Sequence, residues 1–296
     1  MTKALTSKDY DTDPKSFTLE TADSYFIRET VAYVKGTPAT RADAVTVIVW
    51  FHGFYVDKRG DLFHDTKGEE VKLLDNLKSC PIDELIFIAP FMGFVQPKKE
   101  FVLDKNKQKI PVLDKFGNIK PGEFQQQYIG SPAYRAAEAQ LGNAADSYLA
   151  KVLEGLANFL VTKQQTLTAS GGKTVSAFTI KNLILACHSG GGVAMQAFVE
   201  GLKTNKAALK GCWCFDCLYG KAAPGFWFKR DKSAAPFYAH YYDTAANAKA
   251  LLKLMGHERD KEFSDGGPLN VINNSSKNHY RTASEGFAER LKAIKL

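Results

Sequence analysis

Six short apolar runs divide the chain, and their character predicts buried strands. The first is Val45–Phe51, β-branched and almost continuous. The others are 85–90, 183–187, 212–215, 237–242 and 269–272. A strand covered on one face alternates apolar and polar residues, whereas one covered on both faces reads as an unbroken apolar run. Between the runs, apolar residues recur at helical spacing. Ala145, Leu149, Val152, Leu153, Leu156, Phe159 and Leu160 mark a helix over 144–161. Further helices are predicted over 193–202, 244–255 and 282–294. Buried strands alternating with helices imply a mostly parallel central sheet with helices on both faces. The first 40 residues read as peripheral strands, 24–35 most clearly. The short echo Val-Leu-Asp-Lys at 102–105 and 112–115 reads as two arms of a hairpin around 105–108.

The whole chain of 296 residues is read as one α/β domain over 1–296. The segment 94–143 is long for a connection, which marks it as an inserted loop or cap. In open parallel sheets, ligands bind at the carboxyl ends of the strands. The residues just past each run therefore carry the interest: His52, Gly53 and Phe54, then Ser189, Asp216, Asp243 and His279.

Ser189 lies in Cys187-His188-Ser189-Gly190-Gly191-Gly192, between a buried run and a helix. A nucleophile elbow sits in that setting, and its sharp turn needs small residues two positions to either side of the serine. Gly191 meets that need. Cys187 stands where glycine is usual, and is small enough for the turn. The run lacks the spacing of a phosphate-binding P-loop or a dinucleotide fingerprint. A serine nucleophile needs a base. Of the six histidines, His188 is carried away from the hydroxyl by the turn, His64 and His257 lie in polar loops, and His240 is mid-strand. His279 follows the last strand and is the candidate base. Two aspartates end consecutive strands and compete to orient it. Asp243 has the commoner position, but it also directly precedes a helix and reads as its cap. Asp216 is followed by a turn and sits at the end of an apolar run, where a carboxylate needs a partner. Asp216 is favoured, with Asp243 as the alternative. The N–H groups of Gly190 and Phe54 are the candidate oxyanion donors.

Together, His52-Gly53-Phe54, the serine turn, an aspartate and His279, in that order, resemble the α/β-hydrolase superfamily. The resemblance spans roughly 40–296. It implies a Ser–His–Asp triad, a covalent acyl-enzyme, and no cofactor or metal. A small-molecule acyl substrate is expected; the resemblance does not choose among esters, thioesters and amides, and an apolar ester is taken first from the aromatic residues near the strand ends. A peptidase or amidase with the same triad, or a non-catalytic binding protein on this fold, is the alternative. Phe91, Phe94, Tyr219, Phe226, Trp227 and Phe228 are candidates for an apolar pocket, and core packing explains each equally well.

Composition adds little to this picture. The net charge of +7 comes from scattered basic residues. The tightest group, Lys98, Lys99, Lys105, Lys107 and Lys109, alternates with other residues and reads as a solvated loop. No nucleic-acid partner is expected. No run is long enough to span a membrane, and the oligomeric state is not legible. The five cysteines form no complete set of bridges, and the chain starts without a leader. A reduced, cytoplasmic setting is therefore expected, with secretion requiring a leader removed beforehand. Cys212, Cys214 and Cys217 form a C-x-C-x2-C group that reads as buried, inert thiols rather than a metal site, with Cys212 and Cys214 on one strand face.

Overall fold

The apolar runs assemble into one eight-stranded sheet in the computed structural model. The structure describes residues 16–20, 29–35, 44–53, 73–91, 101–103, 105, 109–111, 143–162, 178–230, 235–274 and 278–294. The strands are β1 (Ser16–Glu20), β2 (Glu29–Lys35), β3 (Ala44–Phe51), β4 (Leu85–Phe91), β7 (Thr179–His188), β8 (Leu209–Phe215), β9 (Phe237–Tyr241) and β10 (Leu269–Asn273). Their spatial order is β1-β2-β4-β3-β7-β8-β9-β10. All pairings from β4 through β10 are parallel, and β2 runs antiparallel to both neighbours. The peripheral strands expected in the first 40 residues thus close one edge of the sheet. Two further strands, β5 (Phe101–Leu103) and β6 (Lys109–Pro111), pair antiparallel by themselves. This is a hairpin about the expected residues 105–108, with its second arm at Lys109–Pro111; the echoed residues 112–115 lie outside the described residues. The remainder of the expected cap lies largely outside the described residues.

Six α-helices are described: α1 (Leu73–Ser79), α2 (Ala145–Thr162), α3 (Gly192–Gly201), α4 (Ala223–Lys229), α5 (Ala245–Leu254) and α6 (His279–Ala293). The two-residue period of each strand decides which helices it meets. In β3, Val45, Val47, Val49 and Phe51 face one way, into a core shared with α2, α3, α4 and α5. Ile48 and Trp50 face the other way, with α1 and α6. In β8 the same alternation sends Cys212 and Cys214 to the first face and Trp213 and Phe215 to the second. The two cysteines therefore share a face, as strand alternation requires. With helices on both faces, this strand order and the serine turn after β7 define the α/β-hydrolase fold.

The second core is an aromatic cluster that anchors α6. The ring of Phe287 lies 5.2 Å from that of Trp50, 6.1 Å from Trp213, 6.2 Å from Phe215 and 6.4 Å from Phe87, edge-on in each case. Edge-to-face pairs at these separations add to the gain from burial. Because α6 begins at His279, this cluster fixes the position of a candidate site residue. Phe287→Ala is expected to destabilise the fold by about 3–5 kcal/mol, read as a lowered urea midpoint. A midpoint unchanged from wild type would show that the cluster does not anchor the helix.

Candidate active site

Parallel register brings the carboxyl ends of β3, β7, β8 and β9 to one edge, from which Ser189 and Asp216 follow directly. Ser189 directly follows β7 in a single 3-10 turn, Ser189–Gly191, that leads into α3. Its φ is +52°, in the left-handed region that non-glycine residues avoid. Such a conformation costs roughly 1–3 kcal/mol and persists only where its surroundings hold it. Here the surroundings are backbone. A Cβ on Gly191 would fall 2.2 Å from the Phe51 carbonyl oxygen, and one on Gly192 would fall 2.2 Å from that of Cys217. A Cβ on Gly53 would fall 2.5 Å from Ser189 Cβ. The glycines let the serine turn press against the end of β3 on one side and the segment after β8 on the other. Gly53 thus makes room for Ser189 itself. Ser189 and Gly190 are both buried. Phe54, the other expected oxyanion donor, lies outside the described residues.

His279 is the first residue of α6, whose N-cap Asn278 accepts a 2.8 Å hydrogen bond from the Arg281 N–H. The helix starts three residues earlier than expected, so the candidate base sits in its first turn rather than in the loop before it. His279 Nδ1 lies 2.6 Å from Asp216 Oδ2 and 3.8 Å from Asp243 Oδ2. The Asp216 carboxyl is fully buried, whereas Asp243 is 57% exposed. The contact between the expected base and the favoured acid is therefore made by Asp216.

Asp216 repays burial with donors. Its two oxygens accept from the N–H groups of Tyr242, Asp243 and Thr244, each at 2.9 Å, and from the Thr244 hydroxyl at 2.8 Å. Burial opposes its ionisation, but the bonds from His279 and from these N–H groups outweigh it and hold the carboxyl below the usual carboxylate range. Asp216 also has a positive φ, +49°. Ser189 and Asp216 are the only non-glycine residues with positive φ among those described. Asp243 contributes its backbone to this arrangement. Thr244, not Asp243, is the N-cap residue of α5.

His188 is more closely involved than its place in the turn implied. It is buried, and its ring lies 4.4 Å from that of His279 and hydrogen-bonds the His279 backbone. Burial, with the neighbouring His279, pushes its pKa down to about 3, so the ring is a neutral wall beside His279. His52 is also buried. Its pKa falls to about 4, chiefly through desolvation, and Nδ1 bonds the Gly53 carbonyl at 2.9 Å. His240 is buried in β9 beside Phe215, as its mid-strand position implied. His257 pairs with Asp260 at 2.9 Å, remote from the site in sequence and setting. His64 lies outside the described residues.

Tyr219 is brought to Ser189 by the turn after Asp216. Its hydroxyl makes a hydrogen-bonding contact with the Ser189 side chain, and burial raises its pKa to about 12. Asn247 on α5 donates to the carbonyls on either side of it, Leu218 at 2.5 Å and Gly220 at 3.2 Å. The other pocket candidates divide. Trp227 is core, stacked on Phe237 at 3.9 Å, and Phe226 and Phe228 pack against that core. Phe94 lies outside the described residues, and Phe91 ends β4.

The cysteines depart from expectation. Cys214 and Cys217 form a disulfide that brackets Asp216, and Cys187 Sγ lies 2.9 Å from Cys217 Sγ. Two of the three thiols in the C-x-C-x2-C group are thus bonded or in contact across strands, rather than inert. Cys80, Cys187 and Cys212 are free. Among the described residues, the ligand atoms of Asp216, Asp243 and His279 come within 4.8 Å of one another, as do the sulfurs of Cys187, Cys214 and Cys217. Neither set suits a cation as it stands. Both Asp216 oxygens already accept from N–H groups, and two of the sulfurs are joined.

No family model and no curated protein matches the sequence. Solved structures resemble it in shape. An S-formylglutathione hydrolase from Agrobacterium tumefaciens is 13% identical, with TM-score 0.48, 97% of this chain covered and 97% of the other. A ferulic acid esterase from Anaeromyces mucronatus is 10% identical, with TM-score 0.43, 98% of this chain covered and 97% of the other. A thermostable esterase is 10% identical, with TM-score 0.40. The match covers 92% of this chain but spans only 59% of that esterase. No helix among the described residues is long and apolar enough to cross a membrane.

The two neutral histidines have a consequence for stability. Their folded pKa values lie below the unfolded value near 6.5. As pH falls through that value, the unfolded chain takes up protons that the folded chain does not, so stability is lost on acidification. Each such proton contributes a slope of about 1.4 kcal/mol per pH unit. Unfolding free energy is expected to drop between about pH 7 and pH 5, and to drop less steeply in His52→Gln. Equal slopes for the two proteins in chemical denaturation would show that His52 titrates alike in both states.

Proposed function

We propose that the protein is a serine hydrolase that acts through a Ser189–His279–Asp216 triad and an acyl-enzyme, on a small-molecule apolar ester. The observation that carries this reading is the buried, donor-saturated Asp216 at 2.6 Å from His279 Nδ1, at the same sheet edge as a serine held at positive φ. An imidazole so oriented has Nδ1 committed to the carboxylate and Nε2 left to take a proton. Asp216, ionised by its donors, stabilises the imidazolium that results.

The reaction then runs in two steps. Ser189 Oγ attacks the ester carbonyl carbon and gives its proton to His279 Nε2. The carbonyl oxygen becomes an oxyanion facing the Gly190 N–H, with Phe54 N–H proposed as the second donor. The tetrahedral species collapses as the alkoxy group departs with the proton from His279. Water then gives a proton to His279 and attacks the acyl carbon, and as the acid is released His279 returns that proton to Ser189 Oγ. No cofactor or metal is required for these steps. Tyr219, on the rim beside Ser189, and the neutral His188 ring form part of the wall the substrate meets.

Ser189→Ala is expected to lose turnover of short p-nitrophenyl esters by about a thousand-fold or more while its circular dichroism is unchanged. Retained turnover would sink the nucleophile assignment. Asp216→Asn is expected to reduce kcat by a similar factor and Asp243→Asn by far less. The reverse order would transfer the orienting role to Asp243. Paired ester and amide substrates with one acyl group separate an esterase from an amidase or peptidase. If a fluorophosphonate probe fails to label Ser189, the fold serves binding without catalysis.

A further inference from the structure

Three buried sulfurs surround the acid, and ester hydrolysis uses none of them. Cys214 lies two residues before Asp216 and Cys217 directly after it, so their disulfide closes a small ring containing Phe215 and Asp216. Cys187 comes from the neighbouring strand, two residues before Ser189, in register with Cys214. Its thiol is free and lies 2.9 Å from Cys217 Sγ. All three residues are at most 2% exposed. The carbonyl of Cys217 also packs against the start of α3, so this residue touches both the acid segment and the serine turn.

We propose that Cys187, Cys214 and Cys217 form a thiol–disulfide exchange site built around Asp216. A thiolate in contact with a disulfide sulfur is the starting geometry for exchange. The Cys187 sulfur attacks Cys217 Sγ with its lone pair. The Cys214–Cys217 bond breaks, and its electron pair leaves on Cys214, which takes the proton that Cys187 gave up. The product is a Cys187–Cys217 bridge and a Cys214 thiol. No electrons enter or leave, so the step needs neither solvent access nor an oxidant. In the first state the bridge ties Asp216 to its own strand. In the second it ties the acid segment to the strand that carries Ser189.

A dithiol reductant adds a third state. Its two thiols are oxidised to a disulfide, and the protein bridge is reduced to two thiols. The acid segment then keeps its hydrogen bonds, from Asn247 and from the donors around Asp216, but has no covalent tie. Burial raises the Cys187 thiol pKa well above its usual value, so exchange quickens with rising pH. The exchange itself does not depend on the proposed hydrolase activity. Its effect on Ser189 does.

The test maps bridges in protein equilibrated in glutathione buffers, quenched in acid, alkylated and digested without reduction. Wild type is expected to yield both the 214–217 and the 187–217 linked peptides. Cys214→Ala and Cys214→Ser are both expected to keep one bridge, now 187–217, and Cys217→Ala to keep neither of these two bridges. A Cys214 variant, folded by circular dichroism, in which Cys187 and Cys217 are both alkylated under oxidising buffer overturns the proposal. In the same buffers, the rate at which a fluorophosphonate labels Ser189 is expected to fall on reduction, with the midpoint of the bridge itself. A labelling rate that stays flat while the bridge titrates overturns the link to Asp216. Absence of labelling in every buffer counts against the hydrolase reading instead, and the bridge map still decides the exchange site.

Discussion

A carboxylate with no exposed surface has to be surrounded by donors, and meeting that demand at Asp216 organises the last third of the described chain. Three consecutive N–H groups after β9 and the Thr244 hydroxyl turn towards it. These bonds fix the turn into α5. His279 supplies a further donor from α6. One side chain at the end of β8 thus holds together β9, α5 and α6. An unpaired charge there would cost several kcal/mol, so each donor is constrained by the charge as much as the charge by its donors. The positive φ of Asp216 is part of the same arrangement, since it turns the chain at the point where the carboxylate is surrounded.

The serine turn depends on the opposite kind of contact, with no side chains between the touching parts. Gly53, Gly191 and Gly192 each stand where a methyl group would overlap a neighbour. The turn is clamped between backbone of β3 and backbone after β8. That clamp holds Ser189 in a conformation it would not choose. The strain at the serine and the glycines around it are one feature, because side chains at these positions would push the clamp open.

Much of this was legible in the sequence, and the parts that were not share a cause. The six apolar runs become β3, β4 and β7–β10, since burial on both faces leaves a composition that no exposed segment imitates. Ser189 and His279 stood out as candidates from residue type and place in the strand–helix order, and the structure puts both at the carboxyl edge of the sheet. The choice between Asp216 and Asp243 was argued from local surroundings, and distance favours the same residue. What escaped the sequence depends on contacts between distant segments. The pairing of Cys187 with Cys217 requires the β7–β8 register. His188 meets His279 across a gap of ninety-one positions, which no local pattern records. Tyr219 reaches Ser189 only because the chain turns back after Asp216. Trp227 was open between pocket and core in the sequence, and Phe237 on strand β9, as its stacking partner, places it in the core.

The aromatic cluster under α6 bears on how the molecule fails. His279 occupies the first turn of a helix whose Phe287 is locked among four rings of the central strands. Many binding sites lie on segments that open locally well below the global unfolding free energy. Here the helix that carries the imidazole is held two turns further on, and breaking that lock disrupts contacts with β3, β4 and β8 at once. The support beneath His279 is therefore the packing of the central sheet itself, and what loosens one loosens the other.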